Sequence, residues 1–524
     1  VSAQKVAAQP EELSRGGASD VRTVAKGGAV QITGQVTARG LLFVFVAIAT
    51  RILGVAGFGL YRQVFQVLNI AGLLAPFGFN FAAVRFMTRA RALGDHGAVR
   101  GSARVALTGA ALVSALLGLA LFLGADALAT VVADSAGARA EIARLVRIGA
   151  GYVPLYGVMQ VLRACTQAYR TMVPSAVVGQ IVLPVGRLVL GIGALLAGLA
   201  VAGAVASLVV SAALSMAAGF WYYRRMLTPE ERRAAPRSEP GAILRFALPQ
   251  AGVNLLGVQA LGLGVVLLAV LGTDREVGLF SVALSLQGAG AVFLTGIVAI
   301  FAPVVVDLYE RDKIDRLQSL YQTINRWVAT FAFPVFAALI VMPDFFVRLL
   351  AGDNGSDATP LVATLAIGNL FFVGSGPCSY LISMTGRAGL NFLNSLASVV
   401  LYLGLGFWLI PSKGVISGAL AAALVDAVVT AVINSARLVQ AKVLIGVQPF
   451  GRSFLKPVCA TLAAVAVMLV VEVLAPATIL WGAIALALAG LVYLAVLRAL
   501  GIDPEERHVF DSIRGRVRGL MRRG

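Results

Sequence analysis

Apolar stretches of about 20 residues recur along this chain with only short polar gaps between them, and a run of that length crosses the hydrocarbon core of a bilayer as a helix. About fourteen can be read, near 28–53, 58–84, 103–124, 145–165, 173–197, 200–222, 242–271, 278–306, 324–343, 360–384, 389–410, 415–436, 455–474 and 477–497. They are called spans 1 to 14 below. The runs are continuous rather than alternating in pieces of about ten, which excludes a transmembrane β-barrel. Composition agrees: of 524 residues 59% are apolar and only 13% charged, far too apolar for a soluble multidomain protein. The expected fold class is an all-α polytopic membrane protein.

Charge sets the orientation. With the amino end cytoplasmic and an even number of spans, about 33 of the 43 Lys and Arg fall on one side, in both tails and in the loops after even-numbered spans. About seven lie in or near the opposite loops, while Arg39, Arg62 and Arg187 lie within spans. This asymmetry predicts a multi-pass protein of the cytoplasmic membrane with both termini inside. The net charge of +18 is then mostly an orientation signal and a surface for anionic lipid. The first 24 residues are polar with no apolar h-region, so no cleavable signal peptide is expected. The organisation reads as a polar tail over 1–24, a first lobe over 25–227, a linker over 228–241, a second lobe over 242–440, a helix pair over 453–498 and a basic tail over 499–524.

Familiar chemistry is absent from the sequence. Cys165, Cys378 and Cys459 fall in or near different spans at no metal or disulfide spacing, and His96 and His508 are the only histidines. No phosphate loop, no H-E-x-x-H and no G-x-S-x-G occurs, and no segment is long enough for a soluble nucleotide or nucleic-acid domain. The expectation is a protein that is not an enzyme, needs no cofactor or metal, and binds no nucleic acid. The outer loops are too short for a membrane sugar polymerase, which leaves transport or a scaffold derived from it.

The chain also repeats itself. "VAKGGAVQITGQ…GFGLYRQVFQ" at 24–66 matches "LRFALPQAGVNL…EVGLFSVALS" at 244–285, with residues 25–66 standing opposite 244–285 at a constant offset of 219, so that Lys26 faces Arg245 and Tyr61 faces Phe280. A second pair, 170–207 with 385–421, agrees, with residues 170–206 standing opposite 385–421 at an offset of 215. Spans 1–6 and 7–12 therefore read as related six-helix bundles in parallel orientation, with spans 13 and 14 as an added pair. A site between the halves, near the bilayer midplane, is expected.

"TRILGVAGFGLY" followed by "NIAGLLAPFGFNFAAVRFMTRA", and later "NLFFVGSGPCSYLISMTGRAGLNFLNSLASVVLYLGLGFWLIPSKGVISGALAAALV", resembles the Wzx-type polysaccharide flippases of the multidrug/oligosaccharidyl-lipid/polysaccharide (MOP) exporter superfamily over roughly residues 25–440. The resemblance implies a V-shaped, two-lobed bundle working by alternating access, with spans 1, 2, 7 and 8 lining a central cavity. It also implies export of polyprenyl-diphosphate-linked glycan, with glycosyltransferases or a glycan polymerase as pathway partners.

Arg39 lies about eleven residues into span 1, roughly 16 Å from its inner end, where a guanidinium is costly unless it faces protein or water. Gln31, Gln35 and Arg39 make one stripe at i, i+4, i+8, and Arg62, Gln66 and Asn69 make another in span 2. Arg187, aligned with Gln180 and Pro184 in span 5, is too deep for easy snorkelling. Together they predict a cationic lumen suited to a diphosphate. In lipid II flippases an arginine of helix 1 has this role, and the resemblance assigns it to Arg39. Several other cavity arginines of those relatives find no counterpart here, which argues against lipid II as cargo. Each arginine has a structural alternative, pairing with a carboxylate or with helix carbonyls.

Lys26 and Arg245 sit at the cytoplasmic mouth; with Arg85, Arg89 and Arg163 they read chiefly as topology signals. Asp426, at the head of a stripe with Thr430 and Asn434, is a candidate for coupling to a proton or sodium gradient, or for a structural pairing. "TPEE" at 228–231 and "DPEE" at 503–506 carry the marks of helix starts, and the tail beyond is a basic amphipathic helix for the anionic inner leaflet. Flippase is the function favoured. A cation-coupled drug exporter would want carboxylates in spans 1, 2, 7 and 8, and a scaffold would want a partner-binding extension.

Overall fold

Two rings show how the first hairpin forms. Phe45 and Tyr61 lie with centroids 5.6 Å apart, although sixteen residues of straight helix would separate them by about 24 Å. The chain doubles back at Gly54, whose φ of 70° and ψ of 171° break the helix running from Ala3 to Leu74; only a residue without Cβ takes that conformation freely. Spans 1 and 2 are thus antiparallel neighbours packed through Phe45, Phe58 and Tyr61.

The computed structural model describes residues 3–132, 136–169, 171–255, 262–288, 305, 308–309, 311–411, 416–474 and 478–501, with side chains from 33 onward except 249–250, 252–255, 354 and 388. The side chains of Lys26 and Gln31, and the DPEE segment with its tail, lie outside these. All regular structure among the described residues is helical, with no strand. Eleven helices among them are long and apolar enough to cross a membrane, counting Thr33–Ala92, which contains spans 1 and 2, as one. Where spans 7 and 8 were read, the chain is helical over 240–255, 263–271 and 274–288. The protein is a multi-pass, all-helical membrane protein.

Close helix contact depends on small residues, as it must where lipid offers no hydrophobic drive for association. Gly157 faces Ser114 and Ala75, and a Cβ on Gly368 would stand 2.5 Å from the Ala427 Cα. The repeat closes on itself at one such contact. A Cβ on Gly59 would lie 1.7 Å from the Asp274 carbonyl oxygen, and a Cβ on Gly278 would lie 2.0 Å from that of Val55. Gly59 and Gly278 are equivalent at the offset of 219, and so are Val55 and Asp274. Equivalent residues meeting reciprocally is the signature of a two-fold relation between the bundles. Tyr61 and Phe280, the pair picked out in sequence, are both buried.

At the opposite end the linker is fastened to the first bundle. Thr228 and Glu231 form the capping box that TPEE predicts. Glu231, buried, accepts from the Tyr169 hydroxyl at 2.7 Å and pairs with Arg91 at 3.3 Å. Burial, then Glu231, pushes the Tyr169 hydroxyl well up from its ordinary value. Arg100 donates to the carbonyls of Arg232 and Ala234. Leu455–Leu474 and Ile479–Ala499, the last pair, pack on each other and reach the second bundle through the Tyr493 hydroxyl, which donates to the Thr330 carbonyl.

Candidate functional site

Span 5 owes its shape to Pro184. Lacking an N–H, a proline cannot return the bond expected by the carbonyl four residues earlier, and a π-turn occupies Val177–Val182 just ahead of it. The helix resumes over Leu183–Leu196 and carries Arg187 to span 2. There Arg187 and Arg62 both lie over the ring of Phe65, with Cζ 4.8 and 5.5 Å from its centroid. Arg187 also faces the buried Tyr152 hydroxyl. The Nε of each arginine is buried with no hydrogen-bond partner among the described residues, and neither arginine meets a carboxylate there. Two like charges are held together with donors unsatisfied, an arrangement that an anion relieves.

Arg39 takes a different place. It is half-buried, and its Nη1 donates to the carbonyl oxygen of Gly288 at 2.5 Å. That residue belongs to the helix 274–288 of the second bundle, so Arg39 joins the two halves. Of the structural alternatives considered for it, the structure supplies the helix carbonyl and, among the described residues, no carboxylate. Gln35 is half-buried beside it.

The remaining predicted residues divide. Gln66 is buried against Gly262 of span 7, where a Cβ would come within 2.7 Å of its amide nitrogen. Asn69 is half-buried and carries a polar contact. Arg245 is exposed near the start of Pro240–Leu255 and apart from the arginine pair. Asp426 faces the Tyr402 hydroxyl within the second bundle, beside Gly264. Its stripe does not act as a unit, since Asn434 donates to the Thr430 carbonyl of its own helix.

Sequence reasoning missed Gln63, whose Nε2 donates to Asp274 Oδ1 at 2.6 Å across the bundles. It also placed Arg163 among the topology signals, whereas the residue lies inside Tyr152–Gln167 with its side chain bonded to neutral groups. A guanidinium one turn from a helix end looks the same in sequence whether it snorkels or turns inward. Among the described residues no group of three His, Cys, Asp or Glu could hold a metal.

A family model described as polysaccharide biosynthesis protein matches residues 24–308. A search of curated proteins finds no match. Among solved structures the chain is similar to an inward-facing multidrug resistance MATE family transporter of the MOP superfamily, with TM-score 0.63 and 15% identity over 80% of this chain and 98% of that one. The lipid II flippase MurJ in an inward closed conformation is equally similar, with TM-score 0.63 and 12% identity over 87% and 97%. The eukaryotic MATE transporter AtDTX14 follows with TM-score 0.55 and 16% identity over 80% and 96%. These likenesses show the MOP fold.

Proposed function

The chain belongs to the polysaccharide biosynthesis protein family, and on that premise we propose that it is a flippase for polyprenyl-diphosphate-linked oligosaccharide or polysaccharide repeat units. It moves them from the inner to the outer leaflet of the cytoplasmic membrane by alternating access, with both tails and the linker in the cytoplasm. The observation that carries this reading is the pair Arg62 and Arg187 over Phe65, with no carboxylate paired to either among the described residues. Guanidinium groups keep their charge at any working pH and offer forked donors that fit phosphate oxygens. A diphosphate seated there satisfies the unpartnered donors and cancels the repulsion, whereas an organic cation would add to it. Arg39, half-buried and bonded to the opposite bundle, is placed to release that carbonyl for cargo as the halves separate. Enzymes that build the glycan on its lipid at the inner face must supply the cargo, and a polymerase or transferase at the outer face must consume it. Asp426 is the candidate for coupling to a proton or sodium gradient, since it faces the Tyr402 hydroxyl and forms no ion pair among the described residues.

The test replaces both arginines by glutamine, which keeps hydrogen-bonding capacity and removes charge. Arg62→Gln with Arg187→Gln should leave membrane abundance unchanged and stop glycan export, with lipid-linked glycan accumulating at the inner leaflet. Export at the normal rate would refute the reading.

A further inference from the structure

A file of side chains leads away from the arginine pair along Tyr152–Gln167. Tyr152, Tyr156, Gln160 and Arg163 follow at steps of four, four and three, so they share one helix face. The first two rings stack with centroids 5.1 Å apart and planes 23° apart. Gln160 Nε2 donates to the Tyr156 hydroxyl at 3.1 Å, and Arg163 Nη1 donates to Gln160 Oε1 at 2.6 Å. Arg163 Nε donates to the Ser175 carbonyl at 3.0 Å. From Tyr152, which faces Arg187, to Arg163 is roughly 16 Å of helix toward the linker end.

The π-turn of span 5 leaves room for this arginine. A Cβ on Gly179 would stand 2.3 Å from the Arg163 Cζ, so the guanidinium rests where glycine leaves room. Every partner of Arg163 among the described residues is neutral, and its Nη2 has none there. A cation held inside an apolar bundle by neutral acceptors alone, with a donor to spare, keeps most of its attraction for an anion.

We infer that Arg163 is a second anion-binding station, on the linker side of the Arg62–Arg187 pair, for the phosphoryl groups of a diphosphate in transit. This rests on the flippase reading. In the proposed orientation it is the station met first from the cytoplasmic side. The Gln160–Tyr156–Tyr152 file then links it to the deeper pair.

The experiment measures affinity of the purified full-length chain for inorganic pyrophosphate and for farnesyl diphosphate, with ligand-free Tm read beside it. Arg163→Gln should weaken both ligands on the order of tenfold, the worth of one lost charge-assisted bond. Arg163→Lys should fall between, and Gly179→Ala, which displaces the guanidinium without removing it, should also weaken both. An equal loss for the two ligands marks recognition of the phosphoryl group; a loss confined to farnesyl diphosphate overturns it. Arg163→Gln that lowers ligand-free Tm but binds both ligands as tightly as the unaltered chain marks a purely structural arginine and overturns the inference. If Arg163→Gln does not fold, unaltered affinity in both Arg163→Lys and Gly179→Ala has the same consequence. The Arg62→Gln, Arg187→Gln chain separates the two ideas: weakened binding there with normal binding in the Arg163 variants leaves the flippase reading standing and the second station refuted. No binding of either diphosphate to the unaltered chain ends both.

Discussion

The two bundles are built alike and charged differently. At the offset of 219 Arg62 corresponds to Ser281 and Arg39 to Val258, and at the offset of 215 Arg187 corresponds to Tyr402. Ser211 of the first bundle, whose hydroxyl donates to its own helix, stands where the second has Asp426. The first bundle thus has guanidiniums where the second has two hydroxyls and a valine, and the second holds an acid where the first has a serine. What the halves keep in common is the place where backbones touch, Gly59 on Gly278. Backbone approach tolerates no side chain and stays symmetric; a side chain beside the axis is free to diverge. The repeat preserves the backbone contact, and the side chains around it have diverged.

The largest effect is expected at Arg39, where Arg39→Ala should reduce glycan export to background at normal membrane abundance. Lys should restore part of it, because an ammonium keeps charge without the fork, and Glu should be worse than Ala. Export measured beside abundance decides; normal export at normal abundance would remove Arg39 from the cationic half.

Asp426→Asn probes the acidic half. If coupling resides there, export in vesicles should lose its dependence on an imposed ion gradient while diphosphate affinity is retained. Retained gradient dependence would leave the second bundle without an assigned chemistry.

The shared contact should respond symmetrically. Gly59→Ala and Gly278→Ala each force a methyl into a backbone contact, for which overpacking costs about 1–3 kcal/mol. Thermal unfolding in detergent should show similar losses for the two, and a loss at one position only would break the two-fold relation.

The smallest effect belongs to the cross-bundle bond from Gln63 to Asp274. A double-mutant cycle with alanine should give a coupling of about 1 kcal/mol, the net scale of one hydrogen bond. Zero coupling would leave the glycine contact as the fastening at that end.

Much of the architecture is legible in the residues alone. Apolar run length makes the chain a membrane protein of helices, because only helices and closed barrels satisfy their backbone in lipid. The repeat announced paired bundles, and its offset makes Gly59 and Gly278 equivalents once their contact is seen. Helical spacing grouped Gln35 with Arg39 and Gln66 with Arg62, and TPEE gave the capping box. Which groups come together was decided only by the tertiary structure. A stripe reports a direction about its own helix axis, not the neighbour it meets, and packing in lipid sets that neighbour through small residues scattered over distant spans. Arg62 and Arg187 converge on Phe65 from helices far apart in sequence. Arg39 finds Gly288 in the other bundle, and Arg163 turns inward over Gly179 of the π-turn. Each of these depends on where one helix lies against another, which no local pattern encodes.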